Sequence, residues 1–181
     1  VSKRVRREYE RLADDIKHPK KGYVFDPKKA ERPITFIETF CKHSKGEWAG
    51  KPVRLELFQK AYISALFGFV SETTGYRRYR ETLFYVARKN GKSLLLRCIA
   101  VASKKDQARI IFDETCNMVR QSPDLLQVVK KRKSDLYFSL TFSKFQPLGK
   151  NSDTLDGLNS HLVIMDELHS IKDRNLYEVM K

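Results

Sequence analysis

The sequence predicts an α/β fold, and two stretches predict it. The first is the apolar run Thr82-Leu83-Phe84-Tyr85-Val86-Ala87, then the tight loop Arg88-Lys89-Asn90-Gly91-Lys92-Ser93, then a helical run from Leu94 to Ala100. The second is His161-Leu162-Val163-Ile164-Met165-Asp166-Glu167, an apolar strand ending in two adjacent carboxylates, with Asp166 lying 74 residues after Lys92. Short buried strands that alternate with helical patterns read as βα units.

Each stretch has a chemical reading. Strand, loop, Gly-Lys-Ser and helix is the order of a phosphate-binding loop. Backbone N–H groups of the turn and of the helix N-terminus converge on one spot and favour an anion there. Gly91 lets the backbone approach without a Cβ in the way. Lys92 can reach the β- and γ-phosphates, and the Ser93 hydroxyl suits magnesium. The usual pattern has a further glycine where this chain has Val86, and Arg88 and Lys89 are additions. At the end of the second strand, Asp166 suits a magnesium shell, and Glu167 suits a general base that polarises water. The plainer alternatives are a surface turn for the first stretch and, for the second, carboxylates favouring a helix dipole. The two stretches together favour nucleotide binding.

Composition narrows the class. The chain has 181 residues and is 41% hydrophobic, which is enough for one domain with a core. Its formal net charge of +14 attracts polyanions, nucleic acid first. Cys41, Cys98 and Cys116 are odd in number and widely spaced, which argues for a reducing compartment and against a disulfide framework or zinc site. No signal peptide and no run near the ~20 apolar residues of a membrane span is visible, so a soluble intracellular protein is expected.

The remaining elements follow in order. Residues 1–29 carry ten lysines and arginines against five acids. Val5, Tyr9, Leu12 and Ile16 recur at helical spacing, so a short amphipathic helix is expected, read either as a basic arm for nucleic acid or as a solvated face. Pro33 is expected in the first turn of a helix running to about His43. Ser44 to Pro52 reads as a loop, with Trp48 as a packing anchor. A helix is expected from Leu55 to Val70, with Leu57, Phe58, Tyr62, Ile63, Leu66 and Phe67 on its apolar face. Gln59 on that helix admits two readings, an amide that reads adenine or an ordinary exposed glutamine, and spacing alone favours the second. Gly75 to Arg80 is a basic loop with interleaved aromatics that can touch a nucleic-acid backbone or simply lead into the strand.

Ser103 is expected to cap a helix from Gln107 to about Gln121. Only Val101 and Ala102 separate it from the preceding helix, where an α/β fold needs a returning strand, so a segment is expected to be missing there. A short helix follows over Asp124 to Lys131. The cluster Lys130 to Lys133 reads as its solvated end. Leu136 to Phe142 has strand composition, with Lys144 to Leu148 as its partner. A polar loop spans Gly149 to Gly157, and a last helix starts near Asp173.

Several of these pieces converge on a known family. The loop Ala87-Arg88-Lys89-Asn90-Gly91-Lys92-Ser93 resembles the deviant phosphate loop of the large terminase subunit of tailed bacteriophages. So do Lys104-Lys105-Asp106-Gln107-Ala108 at the start of the following helix, Asp156-Gly157-Leu158-Asn159, and Ile164-Met165-Asp166-Glu167-Leu168-His169. The resemblance runs from about Pro33 to the C-terminus. It implies a P-loop NTPase αβα sandwich with a parallel sheet, of the additional-strand, catalytic-glutamate type, with residues 1–30 as a basic arm and 31–181 as a partial ATPase domain. It implies an ATP- and Mg²⁺-dependent motor that drives double-stranded DNA into a procapsid. The implied partners are the portal protein and the small terminase subunit. The implied working form is a homo-oligomeric ring in the host-cell cytoplasm, transiently at the portal.

Carried onto this chain, the resemblance has Lys92 hold the phosphates within the binding loop of Arg88, Lys89, Asn90, Gly91 and Ser93. Ser93 and Asp166 serve the magnesium, Glu167 activates water, Arg88 senses or stabilises the γ-phosphate and Gln59 contacts adenine. His169 matches a family position and receives no chemistry. Two departures stand out: the strand before Ser103 is absent, and the family's later motifs and C-terminal nuclease lie past Lys181. An incomplete sheet is therefore expected, in a fragment less stable than a full domain.

Two rival readings differ in class. Asp166-Glu167-Leu168-His169 fits the D-E-x-H box of superfamily-two helicases, but their loops usually read Gly-x-Gly-Lys-Thr. A non-enzymatic basic nucleic-acid-binding module is the other.

Overall fold

A computed structural model describes residues 2–84, 86, 91, 92, 95, 105–148, 163 and 165. The chain divides into two compact units, Val1–Thr39 with Val53–Tyr85, and Phe40–Pro52 with Val86–Lys181.

In the first unit, α1 spans Lys3–Lys17, and its N-cap Ser2 accepts the Val5 N–H. This is the expected amphipathic helix. It buries no residue fully, and it is tied down by polar groups. The Tyr9 hydroxyl donates to the Phe58 carbonyl at 3.5 Å, and Asp15 sits 3.0 Å from Arg11 and 3.4 Å from Arg78.

The second helix, α2, spans Pro27–Phe40 and so starts one and a half turns before the expected Pro33. The cause is Asp26, whose carboxylate accepts the Lys28 and Lys29 N–H groups while Pro27 fills the first position. Helix α3 spans Leu57–Gly68 and runs directly into a strand, β2, Phe69–Ser71. Antiparallel to β2 lies β1, Tyr23–Phe25, with Phe25 opposite Phe69. Neither strand was expected, because three residues show no period of their own. Gly68 makes the crossing possible: a Cβ there would lie 2.4 Å from the Phe25 ring and 2.9 Å from Ala30 Cβ. The core is Ala30, Ile37, Val53, Leu55, Ile63, Leu66, Phe69 and Val70. Leu57, expected on the apolar face of α3, is 85% exposed; as the first helical residue it precedes the turn that packs.

In the second unit, α4 spans Lys105–Arg120 and α5 Pro123–Val128. Three short strands follow, β3 Val129–Lys131, β4 Leu136–Phe138 and β5 Ser143–Phe145, paired antiparallel in that order. The expected pairing of the Leu136 and Lys144 segments is present. The helix expected over Asp124 to Lys131 ends at Val128, and the cluster Lys130 to Lys133 is a hairpin rather than a helix end, since β-branched Val129 opens a strand there. Phe112, Cys116, Val119, Leu125, Val129 and Leu136 form the core, with Phe40, Val128, Phe138 and Phe145 against it. The loop of residues 41–52 folds as a strap. Lys42 bridges Pro52, and a 3₁₀ turn spans Gly46–Trp48. Ser44 donates to buried Glu114 at 2.7 Å, and Lys45 pairs with the same carboxylate. Trp48, expected as an anchor, is 55% exposed with the Lys51 ammonium 4.5 Å from its ring; the Glu114 contacts hold the strap instead.

The fold is thus mixed α/β. Every pairing among the described strands is antiparallel. Of the two stretches expected as parallel strands, the described members, residues 82–84, 86, 163 and 165, are not in strands. Two of them are held as side chains: Thr82 hydrogen-bonds the Tyr62 hydroxyl at 2.9 Å, and the Phe84 ring lies 4.6 Å from that of Tyr62. The expected cap at Ser103, the missing segment, the loop at 149–157 and the last helix lie outside the described residues.

Candidate nucleotide site

The described part of the glycine loop is Gly91, Lys92 and Leu95. Gly91 has φ +74°, a left-handed conformation that costs an L side chain roughly 1–2 kcal/mol. Its carbonyl accepts the Leu95 N–H at 2.9 Å, and Lys92 and Leu95 are helical. Gly91 therefore occupies the cap position of a helix that starts at Lys92. That is the junction the Gly-Lys-Ser order predicts: a turn only glycine takes easily, then the start of a helix. Leu95 is buried and anchors this turn, while Val86 and Lys92 are half-buried. Arg88, Lys89, Asn90, Ser93, Asp166 and Glu167 lie outside the described residues, as does His169.

Gln59 belongs to the first unit and has a definite structural job. It is the third residue of α3, and its side-chain carbonyl accepts the Glu56 N–H at 2.9 Å, half of a capping box. It is 3% exposed, which corrects the reading as an ordinary exposed glutamine. The sequence signal was present, since Glu56 and Gln59 stand at capping-box spacing before an apolar run.

The basic loop at Gly75 to Arg80 is partly spent inside its own unit. The Arg78 guanidinium lies 5.6, 5.5 and 5.2 Å from the rings of Tyr23, Phe69 and Tyr79, and 3.4 Å from Asp15. Arg77 lies over the Phe67 ring at 5.2 Å. Tyr76 remains exposed. The described residues contain no cluster of three or more potential metal ligands, and none of their helices is long and apolar enough to cross a membrane. Cys41 and Cys116 are both buried.

Comparison with known proteins bears on the family. A sequence model of the terminase large subunit ATPase domain matches residues 96–181. The large terminase subunit of Enterobacteria phage HK97 is 29% identical over 166 residues, which cover 80% of this chain and 31% of that protein. The crystal structure of the HK97 bacteriophage large terminase superposes with a TM-score of 0.63 at 26% identity, covering 84% of this chain and 34% of that one. The chain is similar to phage large terminase subunits over most of its length. It spans about a third of the length of these terminase relatives. The matched ATPase-domain segment contains Asp166 and Glu167 and begins past Ser93, so the loop assignment rests on the Gly-Lys-Ser order and on the Gly91 turn.

Proposed function

We propose that this chain is the ATPase motor portion of a terminase, hydrolysing ATP to move double-stranded DNA into a procapsid. The observation that carries the reading is the left-handed Gly91 capping a helix at Lys92 in a chain similar to this family. The parallel sheet of a P-loop sandwich, with its additional strand, belongs to the same proposal.

A helix N-terminus favours an anion such as phosphate, and the Lys92 ammonium adds a point charge there. Arg88, with its planar fork of donors, suits the charge that develops on the γ-phosphate. Lys89 and Asn90 complete the loop. The Ser93 hydroxyl and the Asp166 carboxylate are hard oxygen donors and fit magnesium by donor chemistry. Magnesium, when bound, neutralises phosphate charge. Glu167 orients the attacking water and takes its proton. Gln59 retains its amide for an adenine edge while its carbonyl oxygen caps α3. The duplex, the portal protein, the small subunit, a ring and a host-cytoplasmic setting complete the proposal.

The test is Mg-ATP binding and turnover by the chain and by Lys92→Ala and Glu167→Ala, with and without duplex DNA. Lys92→Ala is expected to weaken binding itself. Glu167→Ala is expected to bind normally and turn over at least 100-fold more slowly. Equal loss of binding and turnover in Glu167→Ala contradicts its role. Tight DNA binding with no response to nucleotide in any of the three proteins replaces the motor with a basic binding module.

A further inference from the structure

The sheet β3-β4-β5 has two faces of opposite character. Register puts Val129 opposite Phe138, and Lys131 opposite Leu136 and, through it, Phe145. Val129, Leu136, Phe138 and Phe145 belong to the core of the second unit, so this face points inward. The alternate positions form the other face. Here Lys130 lies opposite Tyr137, and Tyr137 opposite Lys144, one row across three strands. Neighbouring strands lie about 4.8 Å apart, so the two lysines are separated by about 10 Å of backbone. Arg132 joins them, its guanidinium 3.7 Å from the centre of the Tyr137 ring.

Lys130, Arg132 and Lys144 are exposed, and Tyr137 is half-buried. Among the described residues none of the three cations is in an ion pair. Asp135 faces Arg132 across the turn, where the Arg132 N–H donates to its backbone carbonyl at 2.8 Å. The face therefore carries three cations against one acid, and the exposed Lys133 at the turn adds another.

We infer that this sheet face is a binding surface for the phosphate backbone of duplex DNA. A row of cations held by strand register fits a linear polyanion, and positive charge on a rigid scaffold loses little entropy on binding. The guanidinium covers one face of the Tyr137 ring, so the surface offers charge and a hydroxyl rather than a platform for stacking unpaired bases. The inference deepens the packaging reading and rests on it for the choice of duplex DNA over another polyanion.

The experiment compares the chain with a Lys130→Ala, Arg132→Ala, Lys144→Ala triple variant. A control, Lys3→Ala, Arg4→Ala, Arg7→Ala, removes equal charge from exposed positions of α1. Anisotropy of a labelled random-sequence duplex is titrated at several potassium chloride concentrations. Each phosphate contact contributes about 0.9 to the slope of log K against log salt. The sheet variant is expected to lower that slope by about 2 to 3 and the control by less than about 1. The charge-keeping variant Lys130→Arg, Lys144→Arg is expected to behave as the parent. Equal slopes for the sheet variant and the control overturn the inference, as does absence of duplex binding by the parent chain. Loss of polyglutamate binding with duplex binding unchanged also overturns it and assigns the face to an acidic protein. Mg-ATP binding measured on the same samples separates the two proposals: a sheet effect without ATP binding leaves the surface and sinks the motor, and the reverse sinks the surface alone.

Discussion

Gly91 and Gln59 each combine a backbone role with a proposed chemical one, and substitutions can divide the two. Gly91→Ala is expected to destabilise the chain by roughly 1–2 kcal/mol, because φ +74° crowds a Cβ. It is also expected to weaken ATP binding; thermal unfolding and nucleotide titration measure the two effects separately. Gln59→Ala removes the acceptor for the Glu56 N–H and is expected to cost about 1 kcal/mol. Gln59→Glu restores that acceptor and removes the amide donor. If the amide reads a base, the Glu variant recovers part of the melting temperature and loses the preference for ATP over GTP. An unchanged preference in both variants leaves Gln59 as a cap alone.

At the scale of elements, the first unit is organised by the junctions around α2 and α3. Gly68→Ala is expected to lower stability by roughly 1–3 kcal/mol, since the added methyl meets Phe25 and Ala30 with little room to shift. Denaturant unfolding monitored by circular dichroism reads this directly. Glu38 pins the start of α3: its carboxylate accepts the Leu55 N–H at 3.0 Å and pairs with Lys60 at 3.0 Å. The Leu55 hydrogen bond first, then Lys60, holds its pKa below the ordinary value. A carboxylate depressed in the folded state contributes stability above its unfolded pKa, about 4.3, and that stability is lost as pH falls through the lower folded value. Glu38→Gln keeps an acceptor for Leu55 and loses the charge. The variant is expected to be less stable at neutral pH and to show a shallower stability loss below about pH 4. A parallel pH profile for the two proteins refutes the pin.

Across the whole molecule, the +14 charge and the Asp166-Glu167 pair belong to different tasks in the proposed motor. Duplex affinity is expected to fall steeply with salt in the parent chain and in Glu167→Ala alike, while only the parent turns over ATP; an affinity loss in Glu167→Ala joins the two tasks. The Gly-Lys-Ser junction, α1, α4 and the β4–β5 pairing were legible in the sequence. Each is local: a turn that needs glycine, or an apolar period within one element. The three-residue strands β1, β2 and β3 were not legible, nor were the inward use of Arg78 and the exposure of Trp48 and Leu57. Their signals reside in partners far along the chain: Phe25 meets Phe69, Asp15 meets Arg78, and Ser44 meets Glu114. The sequence by itself determined the chemistry proposed for the loop and for the carboxylate pair, because residue type and order dictate what a phosphate or a water can meet. Only the tertiary structure decided that Lys130, Arg132 and Lys144 share one face. Strand register sets which cations become neighbours, and register is fixed by the apolar side chains on the opposite face.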